Sequence, residues 1–362
     1  MKILFHASQI TVSFPRIRTD REPTGLTDYE LTAWQFCHDW LLGKDEFTLH
    51  TSGSTGIPKP ITLSRQQMAA SAAMTGRALQ LRSGNSALVN LNVQYIAGIM
   101  MLVRGLELGL TLTIIEPTSN PLAHFAGAIR FDLQSYVPLQ LQTILEKTPE
   151  NISVLNTAQA ILVGGAPVSP ALAETLQQVI APIYQTYGMT ETVSHIALRR
   201  VNGPEKQEFY VALDTVSLQT DERNCLVIQA PQLSRDAVVT NDVVELLSST
   251  AFRWVGRADN VINSGGVKVQ AEKVEQEVGK ILAESQLSCR FFVAGLAHPQ
   301  LGEAVTLVIE GNPLPVSLEN SIFQKLKTGL ARFELPKEIR YVRQFAETPT
   351  SKIDRKKTLE TL

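Results

Sequence analysis

Apolar positions fall at helical spacing in some stretches and in short unbroken runs in others, and the two patterns alternate along the chain. Within 29–42, Leu31, Trp34, Trp40 and Leu41 mark one face of a helix. Ser64, with Gln67 three residues on, is a capping-box pair that opens a second helix. Apolar runs at 86–91, 110–115, 160–163 and 182–187 predict strands, and 122–129 and 170–179 predict helices between them. This alternation predicts a mostly parallel sheet covered by helices, with pocket residues in loops at strand ends. After Glu208 the pattern shortens to β segments at 209–213, 225–229, 237–240 and 243–246, read as a smaller β-rich unit. A polar turn follows, Gly256-Arg257-Ala258-Asp259-Asn260. Beyond it lie a hairpin at Ser264-Gly265-Gly266, a helix over 271–284, strands at 290–294 and 304–309, a helix over 318–332 and a strand at 339–342. The predicted class is α/β: a large N-terminal α/β domain, 1–258, with mostly parallel sheets and a small β-rich subdomain. A small α+β domain, 259–362, follows, of ordinary domain size.

Composition narrows the function classes. The chain has 362 residues with 44% apolar and 19% charged positions, an ordinary globular mix. Lys plus Arg is 33 and Asp plus Glu is 35, a balance unlike that of a protein that coats nucleic acid or an acidic membrane. Any polyanion must therefore be held by local groups. Cys37, Cys225 and Cys289 stand far apart and make neither a metal-ligand spacing nor a disulfide framework. The N-terminus lacks the apolar stretch of a signal peptide, and no apolar run is long enough to span a bilayer, so a cytoplasmic location is expected. From 325 to 362 there are ten Lys/Arg against five Asp/Glu, a basic surface or a face that meets phosphates.

The segment Thr51-Ser52-Gly53-Ser54-Thr55-Gly56-Ile57-Pro58-Lys59 carries the clearest chemistry. Glycines let backbone N–H groups turn inward as an anion nest, hydroxyls add neutral donors and Lys59 adds a charge. The expected ligand is phosphate. It is not a Walker loop, because the glycine spacing is wrong and Pro60 follows the lysine. Strand-like runs on both sides, 47–50 and 61–63, argue against a linker.

This segment closely resembles the phosphate-loop signature of adenylate-forming enzymes of the acyl-CoA synthetase type. Four further matches follow in the same order. Tyr187-Gly188-Met189-Thr190-Glu191 resembles the family's Tyr-Gly-x-Thr-Glu element. Gly164-Gly165-Ala166-Pro167 is similar to its glycine-rich turn. Thr240-Asn241-Asp242 resembles Thr-Gly-Asp with Asn in place of Gly; Asn tolerates a left-handed turn better than most residues. Pro349-Thr350-Ser351-Lys352-Ile353-Asp354-Arg355 resembles the C-terminal lysine loop, with Ser351 where the family has Gly. The matches run from residue 51 to 355. Only 50 residues precede the phosphate loop, against a substantial subdomain in typical members, so the chain looks like a form shortened at its front.

The resemblance implies a two-step reaction that uses ATP, Mg²⁺ and coenzyme A on a small-molecule carboxylate. The phosphate loop would hold the β- and γ-phosphates, Tyr187 would stack on adenine beside Gly164, Gly165, Ala166, Pro167 and Gly188, and Thr190 would meet the α-phosphate. Glu191 would bind Mg²⁺, and Asp242 and Arg257 the ribose. Lys352 would serve adenylation. Asp259 would be the hinge about which a mobile C-terminal domain turns, so that Gly265, Gly266 and Lys268 replace Lys352 and line the pantetheine tunnel.

The stretch from Gly188 to Arg199 is most similar to o-succinylbenzoate–CoA ligases of menaquinone synthesis. On this likeness Ser194 and His195 border the acyl pocket and meet a second carboxylate, and Tyr95 takes a place where the family often has histidine. A packed core histidine is the competing reading of His195. Two other functions stay open: another aryl- or acyl-CoA ligase or carrier-protein-loading enzyme, and a non-catalytic nucleotide-binding protein of the same fold.

Overall fold

The computed structural model describes all residues except 51–59, 126–128, 286, 288 and 349–352. In chain order the strands are β1 (Lys2–Phe5), β2 (Ile10–Ser13), β3 (Glu46–His50), β4 (Pro60–Ser64), β5 (Ser86–Val89), β6 (Thr111–Ile114), β7 (Leu133–Tyr136), β8 (Ala160–Val163), β9 (Ile183–Gly188) and β10 (His195–Arg200). They continue as β11 (Tyr210–Ala212), β12 (Ser217–Thr220), β13 (Cys225–Gln229), β14 (Val238–Ser248), β15 (Ala251–Arg257), β16 (Val261–Ser264), β17 (Val267–Gln270), β18 (Phe291–His298), β19 (Gly302–Glu310) and β20 (Glu338–Val342).

A 13-stranded sheet runs β12-β13-β14-β15-β11-β10-β9-β8-β7-β5-β6-β1-β2. The block β1-β6-β5-β7-β8-β9 is parallel. Parallel neighbours need crossovers, and the helices Ile96–Leu108, Pro138–Lys147 and Pro170–Thr175 supply them. From β9 onward the pairing is antiparallel. The β-rich unit expected after Glu208 is thus a continuation of the same sheet. The antiparallel hairpin β3–β4 flanks segment 51–59, with His50 opposite Pro60.

The capping box at Ser64 forms as expected: the Gln67 N–H donates to Ser64 Oγ at 3.2 Å, and the Ser64 N–H to Gln67 Oε1 at 2.9 Å. This starts the helix Arg65–Ala78, which packs along Ile96–Leu108. Leu112, Met68, Met100 and Leu102, all fully buried, belong to the core beneath. Residues from Val261 build a second sheet, in which β16 to β20 and the helices Ala271–Glu284 and Val316–Gly329 enclose a core of their own.

Two expectations need correcting. The helix expected over 122–129 is, within the described residues, only the 3₁₀ turn Pro121–His124: Pro121 starts it, and the backbone turns extended at Phe125 (φ −110°, ψ 124°), which ends it. The strands expected at 237–240 and 243–246 are one strand, β14, with a register shift between Val243 and Val244. Asn241 therefore lies in extended backbone within β14, and its tolerance of left-handed turns is not called on.

Candidate active site

The ends of β8 and β9 lie on the C-terminal side of the parallel block, where α/β sheets place their ligands. β8 ends in Gly164-Gly165, and β9 ends in Tyr187-Gly188. A Cβ on Gly164 would stand 2.3 Å from Thr186 Oγ1, so only glycine lets the two strand ends approach this closely. Gly165 has φ +82°, the left-handed conformation that glycine adopts without strain. Ala166 and Pro167 are exposed beyond it.

Asp242, expected to meet the ribose, is the centre of a hydrogen-bonded cluster and is 8% exposed. It faces Arg257 directly in the β14–β15 register. The Arg257 guanidinium donates to Asp242 Oδ1 at 3.4 Å, Trp254 Nε1 donates to the same oxygen at 3.3 Å, and the Tyr187 hydroxyl donates to Oδ2 at 2.6 Å. In the sheet order β9 and β14 are four strands apart, about 19 Å in a flat sheet at the usual strand spacing. A tyrosine and an aspartate cannot span that distance, so the sheet coils on itself between them. Burial first, then the Asp242 carboxylate, pushes the Tyr187 phenol well above its ordinary range, so it remains a donor. Its ring lies against Phe252 and Tyr210 at centroid distances of 5.0 and 5.7 Å. Oδ1 has both lone pairs engaged, whereas Oδ2, with one donor, keeps a lone pair for a further donor such as a sugar hydroxyl.

The residues present suit a nucleotide with its metal. Glu191 is exposed, and among the described residues no protein group pairs with it. Nor do the described residues hold a cluster of three His, Cys, Asp or Glu side chains. A lone carboxylate oxygen is what Mg²⁺ needs when phosphate oxygens and water supply its other ligands. Thr190 stands beside Glu191 in the turn Thr190–Thr192. Thr51, Ser52, Gly53, Ser54, Thr55, Gly56, Lys59 and Lys352 lie outside the described residues.

Around Ser194 and His195 stands a group the sequence reading missed. Arg104 lies in the helix Ile96–Leu108 and is 3% exposed. It donates to Ser194 Oγ at 2.7 Å, to Thr75 Oγ1 at 3.3 Å and to His195 Nδ1 at 3.4 Å. Since Arg can only donate, His195 Nδ1 accepts, and the proton sits on Nε2. That N–H donates to Thr75 Oγ1 at 3.1 Å, and the Thr75 hydroxyl donates to the Ser71 carbonyl at 3.1 Å. Burial and then the Arg104 charge hold the His195 pKa well below its ordinary value, so the ring is neutral. Burial brings the Arg104 pKa down to about 10, still charged at neutral pH. Among the described residues no carboxylate pairs with this guanidinium; its partners are neutral oxygens, one ring nitrogen and the Met101 sulfur. Ser71 Oγ, in the same helix as Thr75, is buried and has no partner among the described residues. A lone cation directly after the apolar run Ile99-Met100-Met101-Leu102-Val103, within one helix, is the signal that could have pointed to Arg104. Tyr95 stands apart as N-cap of the same helix, nine residues before Arg104 and about 13 Å away along the axis.

On the C-terminal side, Asp259 accepts from Arg257 at 2.7 Å and from Asn241 Nδ2 at 3.2 Å. Gly265 and Gly266 form a two-residue turn with φ of +61° and +82° between β16 and β17. Lys268 is exposed on β17. Among the described residues no helix is long and apolar enough to cross a membrane.

Comparison with known proteins gives the family and fold. The model of the AMP-binding enzyme family matches residues 45–215. A solved acyl-CoA synthetase (AMP-forming)/AMP-acid ligase II-like protein from Dyadobacter fermentans is 45% identical, with 97% of this chain and 98% of that one covered and a TM-score of 0.65. The 2-succinylbenzoate–CoA ligase of Listeria innocua is 23% identical over 94% of this chain and 76% of its own length. The O-succinylbenzoate Coenzyme A Synthetase of Bacillus subtilis, solved in complex with ATP and magnesium ion, has the same fold, with a TM-score of 0.71 at 19% identity over 86% of this chain and 69% of that one. The chain belongs to the AMP-binding enzyme family, within the adenylate-forming superfamily. It is an AMP-forming acid–thiol ligase, an adenylate-forming CoA ligase by class.

Proposed function

We propose that the enzyme activates o-succinylbenzoate with ATP and passes it to coenzyme A, giving o-succinylbenzoyl-CoA for menaquinone synthesis. The observation that carries this reading is Arg104, a buried cation beside Ser194 and His195 with no carboxylate of its own among the described residues. A buried charge without a counter-charge is costly, and a substrate with a second carboxylate removes that cost. Benzoate and fatty acids lack that group.

In the proposed first step the reacting carboxylate attacks the α-phosphorus of ATP, pyrophosphate leaves and the acyl-adenylate forms. Catalysis of this kind rests on positioning and charge neutralisation. The nest at 51–59 holds the outer phosphates, Tyr187, Asp242 and Arg257 fix the nucleoside, and Lys352 neutralises charge at the α-phosphate. Mg²⁺, held by Glu191, supplies further neutralisation of the phosphate charge when bound. In the second step the coenzyme A thiol attacks the mixed anhydride and AMP departs. We infer that residues 259–362 turn about Asp259 between the steps, which withdraws Lys352 and brings Gly265, Gly266 and Lys268 to the thiol path.

Pyrophosphate release in the presence of ATP and Mg²⁺ tests the reading, with o-succinylbenzoate compared with benzoate, a fatty acid and several amino acids. The expected result is strong preference for o-succinylbenzoate. Equal turnover of benzoate would move the assignment to another aryl-CoA ligase. Nucleotide binding without acid-dependent release would mean a non-catalytic protein.

A further inference from the structure

Val193 follows the Glu191-Thr192 pair and precedes Ser194, and its backbone has φ +65° and ψ −54°. These angles describe a γ-turn of the rare, strained hand, and the Ser194 N–H closes it by donating to the Thr192 carbonyl at 2.7 Å. A β-branched residue is among the worst suited to positive φ. Glycine would adopt the same angles freely, yet the position holds valine with its side chain fully buried in the main core.

The turn is pinned on every side. The Val193 N–H donates to the Thr190 carbonyl at 2.9 Å. Thr192 Oγ1 accepts from the Met189 N–H at 3.1 Å and donates to the Ser194 carbonyl at 2.8 Å. Gly188 lies so close that a Cβ there would meet the Ser194 carbonyl at 2.3 Å and His195 Cα at 2.4 Å. The β9–β10 register shifts between His195 and Ala197, so the distortion stops within the strand that it opens. Strain that persists because its surroundings over-determine it is characteristic of functional turns.

We propose that Val193 is a positioning residue: its buried side chain forces a strained turn that fixes the backbone carrying Glu191 and Ser194 as one rigid unit. The metal side of the nucleotide and the second carboxylate of the acid are then read from opposite ends of a single turn. The Cβ at this position restricts the backbone and supplies the rigidity, to which the valine methyls add core packing; glycine at the same place would leave the turn free to relax. The inference rests on the proposed roles of Glu191 and Ser194.

Val193→Ala and Val193→Gly separate this role from plain core filling. Alanine keeps the strain and loses part of the packing, whereas glycine loses both. Val193→Gly is expected to melt above Val193→Ala, the reverse of the order at an unstrained site. Activity is expected to run the other way. Val193→Ala should keep its affinity for Mg²⁺·ATP and its KM for o-succinylbenzoate within about twofold, while Val193→Gly loses about tenfold in both, as loosened supports of a reacting constellation do. Melting below Val193→Ala, failure of Val193→Gly to fold, or activity that merely follows stability would overturn the proposal. Melting and Mg²⁺·ATP binding need no acid substrate. If the unmutated enzyme ignores o-succinylbenzoate, the functional reading fails while these two measurements still decide the role of Val193.

Discussion

Arg104 and His195 form a coupled pair in which the cation requires a neutral ring. Arg104→Met removes the charge and leaves a side chain of similar reach. This variant is expected to be at least as stable as the parent, since an unpaired buried charge is lost, yet to lose about a hundredfold in kcat/KM for o-succinylbenzoate, or about 2.7 kcal/mol of transition-state stabilisation. Steady-state kinetics with thermal melting checks both halves. His195 makes a pH prediction. Its folded pKa lies well below 6.5, so below that pH the unfolded chain binds a proton that the native state refuses. Stability from this residue is therefore complete above about pH 6.5 and declines as pH falls, by at most about 1.4 kcal/mol per unit. Denaturant titrations of parent and His195→Gln from pH 7.5 to 5 should diverge below about 6.5 in that direction. Parallel curves would mean that the ring is protonated in the fold. Asp242, Tyr187 and Glu191 were legible in the sequence because each sits in a short, ordered motif. Arg104, Thr75 and Trp254 were not, because their contacts depend on helix packing and sheet coiling that no local pattern encodes.

At the scale of elements, caps and strand ends were legible and continuity was not. The helix over 271–284 and the capping box at Ser64 stand where the pattern put them, since both are decided by neighbours in sequence. β14 read as two strands because polar Asn241 and Asp242 interrupt its apolar run, but its pairing with β13 and β15 carries it through. The Gly265-Gly266 turn lends itself to a test of the proposed thiol path. A Cβ on Gly266 would meet nothing within 4 Å, so a side chain there projects into open space. Its φ of +82° adds strain of about 1–2 kcal/mol for any other residue. Gly266→Leu is expected to leave adenylation near the parent rate and to slow the thioester step. A normal thioester rate, measured by coenzyme A consumption from supplied acyl-adenylate, would remove the hairpin from that path.

At the scale of the molecule the sheets and cores divide near Asp259, and the proposed reaction needs both parts. Lys352→Ala should nearly abolish pyrophosphate release while leaving thioester formation from supplied acyl-adenylate largely intact. Equal loss in both half-reactions would argue against the proposed rotation. The chain carries the adenylate-forming fold, and the protein from Dyadobacter fermentans matches it over nearly its whole length. On the proposed reading, the helix Ile96–Leu108 brings a buried cation, Arg104, to the second carboxylate of the acid being activated. The most direct test compares acid-dependent pyrophosphate release on o-succinylbenzoate and on benzoate, in the parent and in Arg104→Met. The account predicts fast release only from o-succinylbenzoate in the parent, and loss of that preference in the variant. Equal release from both acids in the parent, or an undiminished preference in Arg104→Met, would contradict it.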